Sequence, residues 1–286
     1  MKINIILLLL FIISSCSPGD DKVRSLSDDF KEYWFDGRAE IISFDLQQAR
    51  YGEIHEGHAV MIFVSEPFSR EKQVKLDNPE DEGINVMKLN FIRKFTTGIY
   101  PYSTMLSTFC PLTSYGESNL LKMTFSSQEW CGQVFSQLNN RSDGFMLESF
   151  SYFEKEGDQR LTIPVTITED ELWTRIRLNP MELPQGKISI LPSMMASRLQ
   201  HFPMTGQQAT ASFSKDSSTA EYRVEFEDDR ILRIYFEPEF PNAITGWDET
   251  TGGLTTRARK RKSLKLPYWQ LNKNKDQIWR DSLDLK

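Results

Sequence analysis

Three histidines and three cysteines are the chain's whole stock of imidazoles and thiols. Two histidines fall in His55-Glu56-Gly57-His58, one residue short of the His-Glu-x-x-His spacing that sets two imidazoles on one helical face beside a glutamate base. Residues 51–64 read instead as a hairpin with Glu56-Gly57 in its turn, placing His55 opposite His58 without a third ligand, so no metal is expected. Cys110 and Cys131 leave three readings open. They form a disulfide worth roughly 3 kcal/mol of loop entropy, or stay buried as free thiols, or Cys131 is a nucleophile served by a histidine through space. No Gly-x-Ser-x-Gly elbow, phosphate loop or dinucleotide fingerprint occurs, and no cofactor is expected. Acids such as Glu148 and Glu154 stand on expected strands, but recognising a catalytic pair needs distances. Catalytic residues are left unassigned, and binding rather than turnover is the expected activity.

Aromatic side chains are the other chemistry-bearing group: 19 Phe, 9 Tyr and 6 Trp, most of which a core must absorb. Tyr100, Tyr102, Trp130, Trp247 and Trp269 lie in segments of mixed polarity and are the candidate ligand-binding residues, suited to stacking on sugars or holding an acyl chain. One concentrated basic run, Arg257-Ala258-Arg259-Lys260-Arg261-Lys262, reads either as a contact for acidic head groups or as a solvated edge strand or loop. The whole chain carries 34 basic against 40 acidic side chains, net −6, which argues against nucleic acid as a partner.

The N-terminus speaks to location. Lys2 precedes an apolar run, Ile3 to Ile13, too short for the ~20 residues a spanning helix needs, so residues 1–15 read as a signal peptide. The run ends Ile13-Ser14-Ser15-Cys16, which resembles the bacterial lipobox and makes Cys16 the expected lipidation site. Several acyl chains hold a protein on a membrane where one does so only marginally. Ser17 after the cysteine, by resemblance to envelope sorting rules, favours the outer membrane, and Asp20-Asp21 looks like a surface-export signal. The periplasmic or surface face stays undecided. Residues 16–29 are polar and aperiodic and read as a flexible tether.

The elements that must position any site are strands. Alternation marks residues 38–44, 120–125 and 145–153, and most clearly the hairpin of Ala220 to Phe226 with Ile231 to Phe236, where Tyr222, Val224 and Phe226 share one face. Pro164, Pro180, Pro184, Pro192 and Pro203 argue against long helices in their stretch. Short helices are expected at 28–33, at 169–177 behind a Thr168 cap, and at 276–283. The expected fold is mainly β: a large antiparallel twisted sheet, open or partly closed as a barrel, over residues 30–286. Two lobes meeting near 139–144 is the alternative, because Asn139 to Gly144 is the strongest internal turn signal.

Five strings, Glu32-Tyr33-Trp34-Phe35-Asp36-Gly37, Gln48-Ala49-Arg50-Tyr51-Gly52-Glu53, Thr97-Gly98-Ile99-Tyr100-Pro101-Tyr102, Glu129-Trp130-Cys131-Gly132 and Leu266-Pro267-Tyr268-Trp269, together resemble uncharacterised Bacteroidetes-type lipoproteins often labelled septum formation inhibitor Maf. The resemblance covers most of residues 30–283 and carries no active site with it. Maf pyrophosphatases bear Ser-Pro-Arg-Arg near the N-terminus; the nearest string here, Cys16-Ser17-Pro18-Gly19-Asp20, lacks both arginines, so that activity is not expected. The expected protein is an outer-membrane-anchored lipoprotein binding an envelope lipid, glycan or protein component. The alternatives are an envelope hydrolase, using a carboxylate or Cys131 with His201, and a structural subunit of a surface complex.

Overall fold

A computed structural model describes residues 22–285 of the chain. The expected signal peptide, Cys16 and residues 17–21 lie outside the described residues. Part of the expected tether is inside, and it is not free chain. Strand β1 (Lys22–Val23) pairs with residues 114 and 115, and the Arg24 guanidinium donates to the Leu112 carbonyl at 2.7 Å and pairs with Glu182. Ser27 then caps helix α1 (Asp28–Trp34), whose Phe30 and Trp34 are buried.

From there the chain runs as hairpins. Strands β2 (Ala39–Arg50), β3 (Glu53–Ser69), β4 (Val74–Lys75), β5 (Ile84–Thr97) and β6 (Tyr100–Pro111) come first, and β7 (Ser114–Tyr115) is the partner of β1. Strands β8 (Lys122–Glu129), β9 (Gly132–Arg141), β10 (Gly144–Ser151) and β11 (Gln159–Ile163) follow. After β12 (Ile167–Thr168) come a 3-10 turn at Glu169–Glu171 and helix α2 (Leu172–Leu178), then β13 (Gly186–Leu191) and helix α3 (Met194–Gln200). The last sheet elements are β14 (Gln207–Lys215), β15 (Ala220–Phe226), β16 (Ile231–Phe236), β17 (Ile244–Thr251) and β18 (Leu254–Leu266), followed by helix α4 (Ile278–Ser282).

Sixteen strands make one sheet in the order β11-β10-β9-β8-β6-β5-β3-β2-β18-β17-β16-β15-β14-β13-β12, with β4 added beside β3. Every pairing is antiparallel except β12 with β13. The mainly β expectation stands, as one large open sheet with four short helices among the described residues. Its two edge strands are consecutive in sequence: Ile163 ends β11 and Ile167 begins β12, so the edges lie within about 14 Å, four residues at ~3.5 Å each. The sheet therefore curls until its edges nearly meet, with Pro164 in the link supplying no backbone N–H for pairing across the gap.

The curl encloses the core. Helix α2 is buried on every side, Trp173 packing edge-on against Phe91 and Trp247. Thr168 caps the 3-10 turn Glu169–Glu171 that leads into it, in a capping box with Glu171. Its two arginines are tolerated inside because each meets a carboxylate, Arg175 with Glu171 and Arg177 with Glu40. Outside the curl, Leu283 and the Leu264–Tyr268 segment pack on Ile41 and Val60, covering the outer face of β2 and β3.

Several expectations are corrected by these pairings. Residues 139–144 form the β9–β10 hairpin inside a continuous sheet, not a junction of lobes. Glu56-Gly57 is not a turn: the hairpin reverses at Tyr51-Gly52, both at positive φ, and His55 and His58 sit on the same strand opposite Gln48 and Asp45. Gly57 is in mid-strand because β5 approaches it closely; a Cβ there would stand 2.3 Å from the Lys94 carbonyl. The basic run belongs to β18, a central strand rather than an edge, where Arg259, Lys260 and Arg261 meet Asp248, Glu237 and Asp45 at 2.8 Å each.

Candidate functional site

Along β8, β9 and β10 the pleat turns Phe125, Val134, Ser136, Leu147 and Ser149 to the inside of the curl. The register sets Ser136 opposite both Phe125 and Ser149, and the two serine hydroxyls bond at 2.8 Å. Facing this wall, and separated from it by a cavity of about 850 Å³, is α3 with the chain that follows it, presenting Met194, Phe202 and Met204. Phe153 closes a third side. The volume lies inside the range of roughly 300–1,000 Å³ common for small-molecule sites, and the walls are mainly apolar, as such sites are.

Helix α3 holds its place through buried acids at the start of α2. The Ser193 N–H donates to Glu169 at 3.1 Å and the Met194 N–H donates to Asp170 at 2.9 Å. Asp170 is enclosed, and burial, with Glu169 adding to it, pushes its carboxyl up to about 7. At the other end of α3, His201 takes a left-handed turn at φ 60 and leads the chain back over the cavity.

Polar groups gather at the mouth. Arg198 lies over the Phe153 ring at 4.4 Å and meets Glu156 at 3.3 Å and Glu129 at 4.0 Å. The His201 Nδ1 is 3.5 Å from the same Glu156 oxygen, so residues 153–156 are clipped to the end of α3. Across the mouth, the Tyr51 hydroxyl bonds that of Tyr102 at 2.8 Å, and the Arg50 guanidinium lies 4.2 Å from the Tyr51 ring centre. Burial and the Tyr51 bond raise the Tyr102 phenol, whereas on the more open Tyr51 the bonds from Tyr102 and Tyr100 and the Arg50 charge outweigh burial and lower it.

Of the residues singled out in the sequence, Tyr102, Cys131, Glu154 and His201 line this cavity, Glu154 from the turn after β10 rather than from a strand, whereas Glu148 is on β10. Tyr100 stands beside Tyr102, ring centres 5.8 Å apart. Trp130 is exposed at the tip of the β8–β9 turn. Trp247 is corrected from ligand to core residue: it is fully buried among Phe44, Phe91 and Trp173. Trp269 lies on the C-terminal 3-10 turn against Tyr268, away from the cavity. The disulfide is also corrected. Both thiols are free, Cys110 fully buried and Cys131 exposed. Cys131 lies past Gln128, which is opposite Ser103, and Ser103 is seven residues from Cys110 along β6, roughly 23 Å at ~3.3 Å per residue.

The cavity has little nucleophilic chemistry. Hydrogen bonding and charge from Glu129 push the Cys131 thiol up, away from thiolate. Burial and the Lys94, Arg280 and Arg261 charges lower His58, which is remote from the mouth. Among the described residues no group of three or more His, Cys, Asp or Glu is placed to hold a metal ion. Sequence reading misses Arg50, Arg198 and the whole of α3. The available signal is Ser193, an N-cap ahead of Met-Met-Ala-Ser-Arg-Leu-Gln, whose side chain accepts from the Met195 N–H.

No protein-family model matches the chain, and no curated protein matches it. Among solved structures, a beta-barrel-like protein of a domain of unknown function, DUF1849, from Brucella abortus is similar with a TM-score of 0.46 and 10% sequence identity, over 80% of this chain and 97% of that chain.

Proposed function

We propose that this chain is an envelope binding protein that holds the apolar part of an amphipathic envelope molecule inside its curled sheet. The observation that carries this reading is the cavity of about 850 Å³, apolar on the β8–β10 wall and on α3, with arginine, tyrosine and glutamate at its mouth. Such a division suits a ligand with one oily and one polar end. The lipobox-like Ile13-Ser14-Ser15-Cys16 supports a lipid anchor, Ser17 supports the outer membrane, and the five aromatic strings support kinship with Bacteroidetes-type lipoproteins.

The test fills the cavity. Ser136 is small, faces inward and lines the space, so Ser136→Trp should occupy it. Radiolabelled octanol, equilibrated with the full chain in nanodiscs and with empty nanodiscs as reference, should show saturable one-site retention that Ser136→Trp reduces at least tenfold. Absence of saturable retention, or equal retention by a folded Ser136→Trp variant, overturns the reading. Anchoring has its own test. Mass spectrometry of the protein from its native membrane should find an acylated Cys16 at the N-terminus, and an unmodified chain starting elsewhere would remove the lipoprotein part.

One observation favours a second reading, hydrolysis: Cys131 and His201, far apart in sequence, line the same cavity. The raised thiol works against it. Turnover of an envelope ester lost in Cys131→Ser would put hydrolysis in place of binding.

A further inference from the structure

A second, smaller cavity of about 100 Å³ lies on the other side of α3, between Met195 and Leu199 of the helix and the β17–β18 hairpin. That volume is well above the roughly 10–15 Å³ one water requires, yet too small for most organic ligands. Two arginines line it, Arg50 and Arg230. Arg230 is 3% exposed and stacks 3.5 Å from the Phe226 ring centre, and although its Nη1 meets Glu169 at 2.8 Å, its Nε and Nη2 have no hydrogen-bond partner among the described residues. Arg50 donates from Nη1 to the Leu199 carbonyl and from Nη2 to the Tyr51 hydroxyl at 3.3 Å, but its Nε is buried, and among the described residues that Nε has no hydrogen-bond partner and the guanidinium pairs with no carboxylate.

Three buried donors without hydrogen-bond partners among the described residues thus belong to the two arginines that line one small space. The acids around it do not answer them. Glu249 lines the cavity, but both its oxygens are taken by Arg93 at 2.6 and 2.8 Å. Glu169 is shared between Arg230 and the Ser193 N–H. Asp170 beneath α3 is held toward its neutral form by burial. A guanidinium removed from water without its full set of acceptors is costly, and a planar carboxylate is the group whose two oxygens match such forks.

Arg50 also lines the large cavity, so it stands on the wall the two spaces share. We infer that the Arg50–Arg230 cavity is an anion subsite that takes the carboxylate of a ligand whose chain lies in the large cavity, making the ligand a fatty-acid-like carboxylate. The inference rests on the proposed binding reading for the chain part alone; the subsite stands on its own geometry.

Equilibrium dialysis of the full chain in nanodiscs, with empty nanodiscs subtracted, separates the two. Octanoate, octanol, butyrate and inorganic phosphate are the probes. The wild type should retain octanoate at least tenfold more tightly than octanol and more tightly than butyrate, and the preference for octanoate over octanol should disappear in Arg50→Met. Arg230→Met should do the same, with the half-buried Arg50 as the safer variant for folding, checked by thermal melting. Equal affinity for octanoate and octanol in the wild type overturns the subsite while leaving the cavity reading. Retention of butyrate equal to octanoate, lost in Arg50→Met, supports the subsite and overturns the chain part. Retention of phosphate with none of either carboxylate overturns the carboxylate assignment, and octanoate binding unchanged in a folded Arg50→Met overturns the inference.

Discussion

Glu40 and Arg177, 137 residues apart in the chain, meet in a two-bond ion pair inside the curled sheet, at 2.5 and 2.7 Å. The pair joins β2 to the buried helix α2, and each partner is further engaged. The Tyr33 hydroxyl donates to Glu40, and Arg177 Nε donates to the Pro241 carbonyl at 3.0 Å. The guanidinium also lies 4.8 Å from the Phe63 ring centre and 5.1 Å from that of Trp34. So α1, β2, α2 and the loop before β17 share one polar knot inside the curled sheet.

Breaking that knot on one side leaves a buried charge without its partner. Glu40→Gln should therefore lower stability by about 3–5 kcal/mol in urea melts at pH 7, the usual range for removing one member of a buried pair. Burial alone would raise the Glu40 carboxyl, but Arg177 and the Tyr33 bond outweigh it and hold it below its ordinary value of 4.5. A depressed carboxyl contributes in full above its unfolded value and loses that contribution as pH falls through the folded one. Wild type should accordingly lose stability below about pH 4.5, and Glu40→Gln should lack that component. A variant within 1 kcal/mol of wild type would show that the pair does not hold the helix in place.

Asp170 has the opposite sign. Its carboxyl is raised from an ordinary 3.8 to about 7 by burial, so the folded state binds a proton that the unfolded state has released between those values. Stability should fall as pH rises from about 4 to 7 and level off above. Asp170→Asn keeps an acceptor for the Met194 N–H and removes the titration. Its urea midpoint should be flatter than wild type between pH 5 and 7, a window above the one in which Glu40 acts. An identical slope in the two proteins would assign the dependence to another group.

How much of this is legible in the sequence depends on whether an element has one wet face. The β15–β16 hairpin does: Tyr222, Val224 and Phe226 are buried while Glu221, Arg223 and Glu225 are more open, so a period of two is plain. Strand β2 is covered by the core on one side and by the C-terminal segment on the other, so Ala39 to Phe44 are buried without a break and alternation fails. Its turn is carried by Tyr51 at φ 54, with no Asn-Gly pair to announce it, which is why the reversal reads five residues too late. Helix α3 is seven residues between Pro192 and Pro203, too short to show a helical period. Aromatic type alone does not separate Trp247 from Tyr102. Strand register does, by sending the first into the core around α2 and setting the second, buried and stacked on Phe95, against the cavity.

The two thiols give a direct check on that register. Cys110 is enclosed, and burial raises its thiol well above the ordinary value, so neither access nor ionisation favours reaction. Cys131 is exposed, but the hydrogen bond and charge of Glu129 raise it as well, which lowers the thiolate fraction at any given pH. Of these two thiols, iodoacetamide at pH 8 should modify only Cys131 in the folded protein, and Cys110 only after unfolding, with no mass change on reduction beforehand. Glu129→Gln should speed the Cys131 reaction by moving its thiol back toward 9.0, leaving Cys110 protected. A mass gain of two hydrogens on reduction would instead show a disulfide, which needs the β6 end and the β8–β9 turn brought together and so a different register across β6, β8 and β9. Slower alkylation in Glu129→Gln would mean that this carboxylate does not govern the thiol, and the case against Cys131 as a nucleophile would lose its electrostatic support.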